Sequence, residues 1–445
     1  MFKNTVGVKV PDILLPREGV SMEKWAVVAC DQFTSQPEYW EEAERIVGDA
    51  PSTLRLMLPE MYLEKPDEAE RIVAINAAME RYMAEGTLES KGEGFMFVRR
   101  TAEGNTRNGL IVALDLEEYD YSKGSETLIR ASEGTIVERI PPRLRIRKDA
   151  SLELPHILVL IDDPERTVIE PLEAACCEEN KAYECDLMLK GGHIAGWMIK
   201  DADKINGVLR ALEALAAPEY FAKQYGEGKA PMLFAMGDGN HSFATAKANW
   251  EALKPSLSEE EKKDHPARYA LVELENIHDE GILFEPIHRV LFNLDSEKAL
   301  EWLVERLAKD NGGCKLCRFD TREACEEAIG IAKTCGGHIL PFVTETCYGY
   351  LKVNDPAAQL EVGTLQNALD VMLKEMSGVT IDYIHGADVV YDLGSKSGNM
   401  GFLLPPMAKS AFFPTVVFDG ALPRKTFSMG EANEKRYYLE CRKIK

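Results

Sequence analysis

Basic residues are in short supply. The chain sets 52 Lys and Arg against 74 Asp and Glu, a net charge of −22. A field of that sign repels nucleic acid and anionic membranes unless a local basic patch overrides it, so neither is expected as a partner. Long apolar runs are also missing. HILVLI (156–161) is among the longest, far short of the ~18 residues of a membrane span. The opening MFKNTVGVKVPDILLP has no basic stretch followed by an apolar core, so no signal peptide is expected. The ten cysteines have no framework spacing, and Cys314-Lys-Leu-Cys317 is a lone CxxC without the second pair of a zinc site. A cytoplasmic protein with reduced thiols is the simplest expectation. There is no Walker loop, no G-x-G-x-x-G after a strand, no internal repeat and no low-complexity stretch. His156, His193, His265 and His338 show no metal-ligand spacing and are read as structural.

What is present is ample material for a core: 445 residues, 45% of them hydrophobic. Strand-like runs alternate with helical ones. KWAVVAC (24–30), GFMFVRR (94–100), GLIVALDL (109–116), HILVLI (156–161), HIAGWMI (193–199), MLFAMG (232–237), YALVEL (269–274), CYGYLKV (347–353) and GFLLP (401–405) read as strands. PDEAERIVAINAAMERYMAEG (66–86) is the clearest helix, with Pro at its start, acids in its first turn and Gly at its end. The mixture predicts an α/β (mixed α+β) fold. The polar stretch LKPSLSEEEKKDHP (253–266) suggests a boundary, giving an N-terminal region 1–255 and a C-terminal α/β region 256–445 packed against it.

Chemistry concentrates where strands stop. In MLFAMGDGNHSFATAKANW (232–250) an apolar strand ends at Gly237-Asp238-Gly239-Asn240-His241 and a helix starts at once. The two glycines permit backbone angles closed to other residues. Asn240 or Ser242 can cap the helix, and helix-start N–H groups favour an anion, phosphate above all. One reading is a phosphate cradle with Asp238 and His241 as polar partners; the plainer one is a capped turn with a hydrogen-bonded aspartate. RIPPRLRIRK holds Arg139, Arg143, Arg145, Arg147 and Lys148 within ten residues. Alternation puts Arg143, Arg145 and Arg147 on one side of an extended segment, as a phosphate clamp or as a charged edge strand. VVACDQFTSQPEYW is a second strand-to-helix stop. There Asp31 can accept an ammonium group while Thr34 and Ser35 donate to a carboxylate, as an amino-acid substrate demands; a capping loop is the alternative. His288-Arg289 and Arg424-Lys425 are further anion candidates, or ordinary surface pairs.

A strand running into D-G-[HN]-H and then a helix resembles the loop of the ParB/sulfiredoxin-like superfamily. Nearly the whole chain resembles the family of domain of unknown function 1015, which belongs with that superfamily. WAVVACDQFTSQPEYW is similar to the family's N-terminal loop and IRASEGTIVERIPPRLRIRKDASLELPHILVLIDDP to its middle segment. EPIHRVL resembles its Pro-x-His-Arg strand, and LPRKTFSMGEANEKRYY its ending. There are departures. Many members carry His-His-Arg after the Asp-Gly, where this chain has Asn240-His241-Ser242. Many have His before the middle-segment glutamate, where this chain has Ser132.

The resemblance implies a ParB/sulfiredoxin-like core over about 125–255. It also implies an activity like that of the superfamily's free-L-serine kinases, which use a glutamate upstream of the loop as base; Glu133 matches it. A serine hydroxyl is a poor nucleophile and needs a positioned carboxylate, while transfer needs positive charge on the phosphoryl oxygens. The implied site is therefore Glu133, Asp238 and His241 for catalysis; Gly237, Gly239, Asn240, Ser242, Arg143 and Arg145 for phosphate; and Asp31, Thr34 and Ser35 for a small-molecule substrate. Mg2+ is expected on Asp238. The donor stays open between ATP, ADP and pyrophosphate. Two rivals stand beside this reading: a ParB-like nucleic-acid-binding or nuclease protein, and a non-catalytic phosphate-binding regulator. The sequence does not speak to oligomeric state.

Overall fold

The structure is a computed structural model that describes residues 4–445. It is mixed α/β and divides into two compact units. The first runs to Leu283 and takes back the chain's end, Met429–Lys445; the second is Phe284–Ser428. Residues 256–283 thus belong to the first unit.

Unit 1 is built on a ten-stranded sheet. Its strands are β1 (Val8–Lys9), β2 (Phe95–Ala102), β3 (Asn105–Asp115), β4 (Tyr119–Asp120), β5 (Ile129–Arg130), β6 (Leu158–Ile161), β7 (Lys181–Leu187), β8 (Gly192–Ile199), β9 (Phe234–Asp238) and β10 (Tyr269–Asn276). They lie in the order β7-β8-β2-β3-β10-β6-β9-β5-β4, with β1 also on β3. From β7 to β10 neighbours are antiparallel. β10 and β6 are parallel, β6 and β9 antiparallel, and β9 and β5 parallel. Both faces are covered, which is why the strands read as unbroken apolar runs. Phe95 and Phe97 lie in one core with Leu110, Val112 and Phe243. Their neighbours Met96 and Val98 lie in another with Ile111, Trp40 and Tyr437, the period-two alternation of a strand. The helices used below are α1 (Pro37–Val47), α2 (Glu68–Ala84), α3 (Ile140–Lys148), α4 (Ala202–Leu215) and α5 (Asn240–Leu253).

Unit 2 carries a six-stranded antiparallel sheet from β11 (His288–Phe292), β12 (Cys314–Phe319), β13 (His338–Thr344), β14 (Tyr348–Val353), β15 (Thr380–Ile384) and β16 (Asn399–Phe402), in the order β12-β14-β13-β16-β11-β15. Helices α6 (Ser296–Asp310) and α8 (Glu361–Glu375) supply Leu303 and Leu369 to the core on one face. Helix α7 (Arg322–Lys333) supplies Cys325 and Ala332 to a smaller cluster with Ile339 and Tyr350.

Two local expectations are overturned. The arginine segment is a helix, not an extended strand: prolines occupy the first turn of α3, where a missing N–H costs nothing. A 3.6-residue turn puts Arg143 and Arg147 on one face and Arg145 off it. KWAVVAC is a one-turn helix, Met22–Trp25, followed by the two-residue strand Val27–Val28. The strand β7 (KAYECDL) was not expected; its polar alternation is that of an edge strand. Among the described residues no helix is long and apolar enough to cross a membrane.

Candidate functional site

Asp238 is the last residue of β9 and pairs with Leu158, where the β6–β9 register shifts. Such irregularities re-aim side chains at strand ends. Gly239 follows in the left-handed conformation, φ +83°, and serves as N-cap of α5 with no side chain capping the helix. A Cβ at Gly239 would lie 3.1 Å from Ile157 Cα, and one at Gly237 2.5 Å from Met429 Sδ. Glycine is therefore needed at both positions, for conformation at the first and for space at the second.

Two tethers join this loop to a segment about a hundred residues earlier. Asn240 accepts from the Ser132 N–H through Oδ1 (3.2 Å) and donates to Ser132 Oγ through Nδ2 (3.1 Å). His241 Nε2 accepts from the Ile136 N–H at 3.2 Å. A backbone donor at Nε2 leaves the ring proton of a neutral imidazole on Nδ1. Glu133, half-buried, lies between the two tethers.

Asp238 is held at both oxygens. Oδ1 accepts from the Gly239 N–H (2.8 Å) and Oδ2 from Lys435 Nζ (3.0 Å). Burial pushes its carboxyl up, but the Lys435 ammonium, then His156 and the Gly239 N–H, outweigh that and hold it below the ordinary aspartate value. Ser242 Oγ lies 2.8 Å from His156 Nε2, and His156 Nδ1 lies 2.9 Å from the Tyr438 hydroxyl, which also accepts from the Cys30 N–H (3.2 Å). The chain's last segment thus reaches the loop twice, directly through Lys435 and through His156 from Tyr438.

Asp31 stands at the edge of this cluster. It accepts from Gln32 Nε2 (3.0 Å), and its charge acts on Glu60, which burial pushes up, Arg143 pulls down and Asp31 pushes up again, for a net rise. Thr34 and Ser35 are exposed on the following turn. The arginines of α3 are engaged with carboxylates: Arg143 with Glu60 (2.5 Å), Arg145 with Glu68 of α2 (2.8 Å) and Arg147 with Glu153 (2.5 Å). In unit 2, Arg289 is fully buried and donates to Gln366 Oε1 (3.2 Å), and Arg424 pairs with Asp370 (2.5 Å). His288 accepts from the Leu404 N–H, and burial pulls it down to about 4.

Sequence reasoning does not single out Lys435, Tyr438 or Glu60, and it assigns His156 a structural role. His156 had one usable signal: it stands just before β6, the strand beside β9. Lys435 had none, because its partner is 197 residues away.

The surroundings of Asp238 weigh against the expected Mg2+. That ion is held by one or two carboxylates, with waters and substrate phosphates completing its octahedron, whereas this carboxylate already accepts from the Gly239 N–H and from the Lys435 ammonium, whose charge repels a second cation. Among the described residues no cluster of three metal-capable side chains occurs.

The chain belongs to the family described as protein of unknown function (DUF1015), whose model matches residues 14–372. No curated protein matches it. Among solved structures it is similar to a free serine kinase in complex with AMP, at 12% identity and TM-score 0.37, covering 75% of this chain and 92% of that one. It is also similar to a conserved hypothetical protein from Pyrococcus furiosus, at 12% identity and TM-score 0.35 over 74% and 90%. A third is SbnI with a C-terminal truncation from Staphylococcus aureus, at 11% identity and TM-score 0.34 over 72% and 81%.

Proposed function

We propose that this protein is a small-molecule phosphotransferase acting on free L-serine, with a nucleotide or pyrophosphate as donor. In this reading the Gly237–Ser242 loop receives the donor's phosphate and Glu133 takes the proton of the acceptor hydroxyl. Asp31 pairs with the acceptor's ammonium group, and Thr34 and Ser35 donate to its carboxylate. Nucleic acid and membranes are not partners.

The observation that supports the reading is the double tether between residues 132–136 and the loop. A phosphate cradle and a general base must share one site, because proton and phosphoryl group move in the same step. The uncapped start of α5 favours an anion, and the left-handed Gly239 lets the chain pass at once from strand to helix.

The test is Glu133→Gln, which keeps shape and removes the proton acceptor. With L-serine and each of ATP, ADP and pyrophosphate, the wild type is expected to form O-phosphoserine with one donor, read by mass spectrometry. In the variant kcat is expected to fall ~10²–10⁴-fold with KM little changed. An unchanged kcat would remove Glu133 from the mechanism; no product with any donor would remove the kinase reading.

A further inference from the structure

We propose that Lys435 is the resident cation of the phosphate loop and contacts the phosphoryl group directly, in the place given above to Mg2+ on Asp238. The inference rests on the phosphotransferase reading and names the group that stabilises charge within it.

Four observations carry it. The Lys435 ammonium lies 3.0 Å from Asp238 Oδ2, and its side chain is only 9% exposed. An ammonium has three donors; one goes to Asp238, and two remain for a ligand in the half-buried loop. The other nearby cations are spent, since Arg143 is engaged with Glu60, Arg145 with Glu68 and Arg147 with Glu153.

The fourth observation is that the backbone carrying Lys435 is pinned. Its carbonyl accepts from Arg100 Nη1 (2.8 Å). The next residue, Arg436, is buried in ion pairs with Glu273 and Glu440, and its carbonyl accepts from the Ala29 N–H. Tyr437 and Tyr438 pair with Val27 and Val28 as a short antiparallel ribbon. A cation fixed this firmly requires no reorganisation when charge develops, which is what electrostatic stabilisation of a transferring group demands. Asp238 then has the role of aiming the ammonium into the loop rather than of binding metal.

The test is calorimetric titration with ADP and with pyrophosphate, each in excess EDTA and again in Mg2+. It compares the wild type with Lys435→Met, Lys435→Arg and the double variant Asp238→Asn/Lys435→Met. The wild type is expected to bind one of the two ligands in EDTA. Lys435→Met is expected to bind it about 10- to 100-fold more weakly, the effect of losing a charge-assisted hydrogen bond, and Lys435→Arg to retain most of the affinity. The double variant separates ligand contact from mere neutralisation of Asp238. It is expected to stay as weak as the single one, and it decides the matter if Lys435→Met does not fold. Wild-type affinity in either Met variant, or binding seen only with Mg2+, overturns the proposal and leaves the phosphotransferase reading standing. A wild type that binds neither ligand in either condition overturns the proposal, and one that does not bind ATP either overturns the phosphotransferase reading as well.

Discussion

Beneath the ten-stranded sheet of unit 1, Arg100, Arg107, Arg436, Glu273, Glu275 and Glu440 are buried together with Tyr183. Arg436 pairs with Glu273 (2.6 Å) and with Glu440, Arg107 lies 2.8 Å from Glu275, and Tyr183 donates to Glu440 (2.5 Å). The six-stranded sheet of unit 2 packs instead on Leu291, Leu303, Leu340, Leu351 and Leu369. Its buried histidines and charged side chains are His288, Arg289 and His338. Buried ion pairs gain little net stability over apolar packing of the same volume, yet breaking one is costly. Their concentration in unit 1 therefore does something that leucine cannot. It sets the register of residues 435–442 against the sheet, and that stretch carries Lys435 and Tyr438 to the loop. Unit 2 buries apolar side chains for stability; unit 1 also buries charges, and with them fixes where its polar side chains stand.

The largest effect is expected at Arg436. Arg436→Met leaves Glu273 and Glu440 buried without their shared partner, and a loss of about 3–5 kcal/mol is expected. Amide hydrogen exchange should show lost protection in β3 and β10 while β13 and β14 keep theirs. A loss below ~1 kcal/mol would mean that the network is incidental. Leu303→Ala is the converse probe. It removes a wholly buried side chain from unit 2, is expected to cost about 2–5 kcal/mol, and should leave exchange in β9 and β10 unchanged.

A smaller effect depends on pH. Burial, partly offset by Arg107 and reinforced by Glu273, pushes Glu275 up to about 8 from 4.5. Between those values the unfolded chain has lost the proton and the folded chain keeps it. The unfolded state then binds fewer protons, and Glu275's contribution to stability falls as pH rises through that window. Glu275→Gln removes this slope. Urea midpoints should therefore favour the variant over the wild type more at about pH 9 than at about pH 5, by ~1 kcal/mol or more. A parallel pH dependence in both proteins would contradict the assignment.

Much of this was legible in the chain. GFMFVRR, GLIVALDL, HILVLI and YALVEL are strands because both faces of the sheet are covered and a short apolar run has nowhere else to go. The loop at 237–242 announced itself through two glycines between a strand and a helix. The arginine segment misled because Arg-Leu-Arg-Ile-Arg alternates like a strand, while Pro141 and Pro142 permit a helix start. The pairing of those arginines with Glu60, Glu68 and Glu153 depends on elements far away in the chain. Lys435 was hidden for the same reason, as was the core of buried charge: a glutamate within YALVEL reads as an exposed position until Arg436, from the chain's end, is seen beside it.

In the proposed function the Gly237–Ser242 loop receives a phosphate-bearing donor. Gly239→Val tests it most directly, because a branched side chain there opposes φ +83° and meets Ile157 at the loop, away from the buried network. Titration of the wild type with ATP, ADP and pyrophosphate is expected to show binding of at least one. In Gly239→Val that binding should vanish, while exchange in the six-stranded sheet and most of the ten-stranded one stays native. Binding of equal strength in both proteins, or none in the wild type with any of the three, would contradict the claim.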